Sequence, residues 1–249
     1  MANNWNIIVE KYDEMVGETG DIYHRKFLNP VVFKMLGNVK NKKILDLACG
    51  QGYFSRKLAR RGARVVGVDL SDKLIEIAEQ IEKQKKQGIQ YLTLNSEKLD
   101  NIKSNVFDFV VSNISFHDIK NVAKVIMECG RVLKKNGKII FTIPHPITDF
   151  SKKEEIDGKM ANIMKVYMTE MTEPHQFSSR ISVYHRSIGF YLNSLFGAGF
   201  FVSNFSEITT SLSGGKIISN KRLLKSKKEF PSFLIIEGIK QKINFVLRA

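Results

Sequence analysis

The sequence predicts an α/β fold, doubly wound, with a mostly parallel sheet and helices on both of its faces. Three observations point there. Ile44-Leu-Asp-Leu47 is a short apolar run suited to a buried strand, the pair Gly50 and Gly52 follows it, and a helical pattern begins at Tyr53. Arg64-Val-Val-Gly-Val-Asp69 repeats the apolar run and ends on an acid. Beyond it, strand-like runs and helical stripes keep alternating to about residue 146, the rhythm of a sheet whose ligands sit at the carboxyl ends of its strands.

The elements follow in order. Residues 4–18 set Trp5, Ile8, Val9, Tyr12 and Met15 at helical spacing, and residues 21–36 read as a second helix, so 1–40 is a helical lead-in. The first strand passes through the glycines into a crossover helix over Tyr53–Arg60, stopped by Gly62. Ala63–Asp69 is the second strand. Ser71 then caps a helix that runs to about Lys86 on a stripe of Leu74, Ile75, Ala78 and Ile81, and Gly88 ends it. Ile89–Leu94 and Val106–Ser112 are the third and fourth strands, and a helix over Asn121–Leu133 leads through the turn Asn136-Gly137 to a fifth, Lys138–Ile143. Residues 147–182 leave the rhythm. They are rich in Lys, Met, Ser and Thr and too long for a plain crossover, which makes them a substrate lid. Met160, Met164, Met168 and Met171 suit an adaptable cover over an apolar substrate, or else core or dimer packing. A last helix, Ser187–Phe196, and two strands, Phe200–Ile208 and Phe233–Lys240, bring the strand count to seven within a single domain over 1–249.

Composition sets outer bounds. With 249 residues and 43% hydrophobic content the chain can bury a substantial core. No run reaches the roughly 18 apolar residues of a membrane span, and the start lacks a basic region followed by an apolar block, so a cytoplasmic protein is expected. Cys49 and Cys129 have no metal-ligand spacing and read as small packing residues; no metal is expected. The net charge of +14 raises nucleic acid as a partner, but it is mostly lysine spread along the chain, as on a solvated surface. Lys83 to Lys86 and Lys216 to Lys228 are its local clusters.

The glycine turn narrows the chemistry. Glycines tolerate positive φ and let a ligand lie against main chain where a helix begins. A dinucleotide site would want a third glycine where Ser55 stands, and Asp46 would repel a pyrophosphate. S-adenosylmethionine has no phosphate and carries an ammonium and a sulfonium, which an acid attracts. Asp69, at the end of the second strand, is placed to accept both hydroxyls of an adenosine ribose.

Asp46-Leu-Ala-Cys-Gly-Gln-Gly52 and Val66-Gly-Val-Asp-Leu-Ser71 resemble the first two motifs of class I S-adenosylmethionine-dependent methyltransferases, in particular the small-molecule, methyltransferase-type-11-like branch. Gly20-Asp-Ile-Tyr-His-Arg25, Leu28-Asn-Pro30, Arg131-Val-Leu, Pro144-His-Pro146, Tyr184-His-Arg186 and Ala198-Gly-Phe200 extend the likeness in the expected order. It implies a Rossmann-like, mostly parallel sheet with an antiparallel last strand, and leading helices that close over the cofactor. Tyr12 is then a face against the sulfonium, or plain helix packing, and Arg25 a partner for the methionine carboxylate. Ala48 stands where many relatives have glycine and Asn95 where many have aspartate; Leu70 follows the ribose acid. Asn95, Ser96 or Glu97 would meet the adenine edge or ribose. Asn113-Ile-Ser-Phe116 keeps the outer residues of the motif by which adenine-N6 and glutamine enzymes hold an amino group, but lacks both prolines, which tells against those substrates.

The implied reaction is an in-line displacement to an O, N or S acceptor on a small molecule, with S-adenosylhomocysteine as product. An acceptor that must lose a proton gives a histidine a role as base, and His117, His145 and His185 are the candidates, each with a structural alternative. An RNA or tRNA methyltransferase using the basic surface, and a non-catalytic S-adenosylmethionine-binding protein, are the other readings. Monomer and homodimer are both compatible with the chain.

Overall fold

In the computed structural model, which describes residues 4–157, 159–213, 216–217 and 228–241, the apolar runs become one seven-stranded sheet. Its strands are β1 (Lys43–Leu47), β2 (Arg64–Asp69), β3 (Gln90–Thr93), β4 (Phe107–Asn113), β5 (Leu133–Pro144), β10 (Phe200–Ile208) and β13 (Phe233–Lys240). Their spatial order is β10-β13-β5-β4-β1-β2-β3. β1 to β5 pair in parallel, and β13 runs antiparallel to both of its neighbours. The strand order reverses beside β1, where a ligand crevice opens at the carboxyl ends.

Side-chain alternation along β1 shows why the sheet is wound on both faces. Leu45 and Leu47 enter a core shared with α5 (Val122–Val132) and α7 (Ile188–Gly197). Ile44 enters the opposite core with α2 (Asn29–Leu36), α3 (Tyr53–Ala59) and α4 (Asp72–Lys85). All three β1 residues are fully buried, each worth about 1.5–3 kcal/mol relative to exposure. Asp46 belongs to the second face by the same alternation, and this decides its role below.

Three sequence expectations change. The first helix is split into a 3₁₀ turn at Asn4–Ile7 and α1 (Val9–Val16), which ends at Gly17 in a positive-φ conformation. The second opens with a wide turn closed by the Asn29 N–H on the His24 carbonyl, because Pro30 has no N–H to continue a regular helix. The turn Asn136-Gly137 lies inside β5, as a bulge where the pairing with β4 shifts from Leu133 to Lys138.

After β5 come a short helix α6 (Pro146–Asp149) and two hairpins, β6 (Lys152–Ile156) with β7 (Lys159–Ile163) and β8 (Met171–His175) with β9 (Ser178–His185). A two-residue ladder, β11 (Leu212–Ser213) and β12 (Lys216–Ile217), follows β10. The basic run from Lys216 to Lys228 lies outside the described residues except at its ends. Among the described residues, no helix is long and apolar enough to cross a membrane.

Candidate active site

β1 delivers the chain into a turn that only a few residue types tolerate. Ala48, Gly50 and Gly52 all have positive φ, at 55°, 56° and 81°. The Cys49 N–H donates to the Val68 carbonyl on β2, and Gly52 closes the turn as the N-cap of α3, its N–H on the Cys49 carbonyl. Little space lies above the glycines. A Cβ on Gly50 would stand 2.8 Å from the Tyr12 hydroxyl, and one on Gly52 would run into the hydroxyl of Tyr91.

Asp69 ties this turn to β2. Its Oδ2 accepts from the Gly50 N–H and its Oδ1 from the Ser71 N–H, both at 2.8 Å. The Leu70 N–H bears on the same carboxylate, so of its about four acceptor positions one remains for a ligand. Burial pushes this carboxyl above the usual range, which the N–H groups of Ser71, Gly50 and Leu70 counter.

The turn, Asp69 and the ends of β3 and β4 border one cavity of about 640 Å³, within the span of small-molecule sites. Of the residues expected at the cofactor, Tyr12, Ala48, Gly50, Asp69, Leu70, Asn95, Ser96, Glu97 and Asn113 line it. Asn95 is partly used: its Oδ1 accepts from the Glu97 N–H, while the Glu97 carboxylate accepts from Asn121. Asn113 is fixed from behind by Asn29, Tyr53 and Thr142. Ile114, next to it on the cavity wall, has φ +53°, a conformation costly for a β-branched residue. Thr142 holds it there through two bonds to the Ile114 N–H.

Other expected residues lie elsewhere. Asp46 does not face the cavity: it points to the α3 face of β1 and accepts from the Ser55 hydroxyl at 2.5 Å, and burial pushes its carboxyl up to about 7. Gly52 caps α3 behind the turn and is not part of the lining. Arg25 sits on the outer side of the wide turn before α2, solvent-exposed, and donates to Thr19 at 3.3 Å.

None of the three candidate histidines lines the cavity. His145 is fully buried beneath β10, with Nε2 on Glu207 at 2.9 Å and Nδ1 accepting from the Ile147 N–H, a structural cap for α6. His185 is packed against Phe150 and Tyr167, its Nε2 on the Tyr167 carbonyl at 2.8 Å. His117 is buried below the cavity wall, and desolvation lowers its pKa to about 3, so it stays neutral. The lid methionines whose side chains are described also miss the site: Met164, Met168 and Met171 do not line the cavity, and Met168 is 82% exposed, while the side chain of Met160 lies outside the described residues.

Sequence reasoning missed part of the lining. Trp5, Asp118, Ile119, Ile181 and Tyr184 form much of it. The only sequence signal for Asp118 was its place next to His117 on the loop leaving β4. The 3₁₀ turn carrying Trp5 is stitched across the mouth: Asn4 donates to the Arg180 carbonyl on β9, and Asn6 donates to Asp72 and accepts from Ser71. β9 therefore does cover the cavity, whereas no described side chain of β6 or β7 lines it.

The chain matches the family model described as "Methyltransferase domain" over residues 45–141. It is 33% identical to an uncharacterised protein of Haemophilus influenzae over 189 residues, which covers 72% of this chain and 74% of that one. It is 29% identical to a ubiquinone biosynthesis O-methyltransferase of Nitrosomonas europaea, but the match spans 46% of this chain and only 51% of that enzyme. In structure it is similar to an S-adenosylmethionine-dependent methyltransferase from Mesorhizobium loti, with a TM-score of 0.72 and 25% identity over 85% of this chain and 96% of that one.

Proposed function

The chain belongs to the S-adenosylmethionine-dependent methyltransferases, and from that premise we propose that it methylates an oxygen, nitrogen or sulfur atom of a small molecule. The observation that carries this reading is the shape of the cavity: the glycine turn and Asp69 at one side, an apolar and aromatic chamber under β9 at the other. Bound S-adenosylmethionine supplies an electrophilic methyl group on a sulfonium. The chain would hold it with the Gly50 main chain, with the remaining acceptor position of Asp69 on the ribose, and with Leu70 and Asn95 to Glu97 around the adenine. Tyr12 and Asn113 then flank the reacting end.

The protein's own task is to align the acceptor and exclude water, since the displacement needs an in-line approach. Asn4 and Trp5 of the strap, together with β9, help to enclose the chamber. Calorimetry with S-adenosylhomocysteine, followed by transfer of labelled methyl from S-adenosylmethionine to a metabolite panel, tests the reading. Tight cofactor binding with a labelled small-molecule product supports it. Salt-sensitive binding and labelling of RNA in place of any metabolite would move the assignment to nucleic acid, and cofactor binding with no labelled product at all would favour a regulator.

A further inference from the structure

The cavity contains an acid for which the cofactor has no use. We propose that Asp118 takes the proton from a ring hydroxyl of the methyl acceptor, an inference that rests on the methyl-transfer reading above.

Asp118 lines the chamber, yet its side chain is only 7% exposed and its Oδ1 has no hydrogen-bond partner. His117 stands behind it, its Nε2 3.3 Å from that same Oδ1. Native interiors leave few polar atoms unsatisfied, and a carboxylate with no hydrogen-bond donor on a residue of the cavity wall calls for a ligand that supplies one. Around Asp118 the chamber presents Trp5, Tyr12, Tyr184, Ile114 and Ile119, surfaces that fit a flat apolar ring. A ring with a hydroxyl directed at Asp118 would satisfy the carboxylate and lie against those surfaces.

The carboxyl is also held in place. Arg186, itself buried and paired with Glu170, donates to the carbonyls of Phe116, Ile119 and Lys120 and so pins the loop on both sides of Asp118. The titratable groups around it are His117, Asp149 from α6 and Tyr191, and Tyr184 shares the cavity lining; Arg186 and His175 face His117. Burial and the charge of Asp149 raise the proton affinity of Asp118, which suits a base. In the step itself the hydroxyl proton passes to Asp118, the oxygen lone pair forms the new bond to the methyl carbon, and the carbon–sulfur pair returns to sulfur. Asp118 ends as a neutral acid and returns the proton to water when the product leaves.

The test uses 4-nitrocatechol, whose absorbance moves to the red on loss of a proton, titrated into protein saturated with S-adenosylhomocysteine. At a pH where the free probe is protonated, the wild-type protein should bind it with a red shift. Asp118→Asn should abolish the shift and weaken probe binding about ten-fold, consistent with loss of one charge-assisted hydrogen bond. Its affinity for S-adenosylhomocysteine should be unchanged, which also shows that the variant folds. A red shift that survives in Asp118→Asn, or a wild-type protein that fails to bind or deprotonate the probe, overturns the inference while leaving methyl transfer to other acceptors standing. Failure of the wild-type protein to bind S-adenosylhomocysteine would instead remove the underlying function.

Discussion

Replacing Asp69 with alanine isolates the contact proposed to carry cofactor recognition. The carboxylate already accepts from Gly50 and Ser71 at 2.8 Å each and is also approached by the Leu70 N–H, so the proposal gives its remaining acceptor position to the ribose. A hydrogen bond to a charged acceptor contributes about 1.5–3 kcal/mol, and solvent that enters the truncated site recovers part of this, leaving a loss of about 1.5 kcal/mol, roughly ten-fold in Kd. Fold stability should drop by no more than about 1 kcal/mol, because water entering the cavity can take over the main-chain N–H groups. Asp69→Asn should also fail: an amide has a single acceptor oxygen, so its NH₂ must face the N–H of either Gly50 or Ser71, donor against donor. Calorimetry with S-adenosylhomocysteine gives the affinities, and a thermal melt of each variant checks the fold. If Asp69→Ala binds within about two-fold of wild type, the ribose assignment is wrong.

Asp46 titrates at about 7 in the folded chain against about 3.9 when unfolded, so between those values the folded state holds the extra proton and stability falls as pH rises. Asp46→Asn should remove that component; urea midpoints at about pH 5 and about pH 8 would differ less in the variant than in the wild type, and an identical pH response would refute the assignment. His145→Ala should cost about 2 kcal/mol through the lost cap and the bond to Glu207, with S-adenosylhomocysteine binding unchanged; a selective loss of binding would return this histidine to the site. At Ala48, with φ 55°, glycine should be accepted with stability within about 1 kcal/mol of wild type, since relief of left-handed strain offsets the added chain entropy. Ala48→Val should lose about 2 kcal/mol together with cofactor affinity, and equal melts for the two variants would contradict the strain argument.

The glycine turn and Asp69 were legible because their determinants are local. A strand, a positive-φ turn and an acid at the end of the next strand are patterns of adjacent residues, and Gly50 and Asp69 meet through one hydrogen bond as that pattern requires. Asp46 belongs to the same motif but was misdirected: the alternation of β1 puts it with Ile44 toward α3, where Ser55 takes it. The histidines were chosen by their place after strand ends, yet side-chain direction there is set by distant partners such as Glu207 and Tyr167, 62 and 18 residues away. Asp118 and Tyr184 come from segments that only the tertiary fold brings together, through Arg186 on the carbonyls of the β4 loop. Arg25 shows the converse, since the wide turn forced by Pro30 leaves it on the outer surface.

The Asn4–Ile7 strap is fastened at both banks of the cleft, to Arg180 on one and to Ser71 and Asp72 on the other. A ligand that enters past this strap would have to slip these clasps, and bonds of this exposed kind are worth only about 1 kcal/mol apiece. Its entry and release would then follow the breathing of a single four-residue turn, which makes this turn a natural place to speed or slow exchange without touching the chemistry.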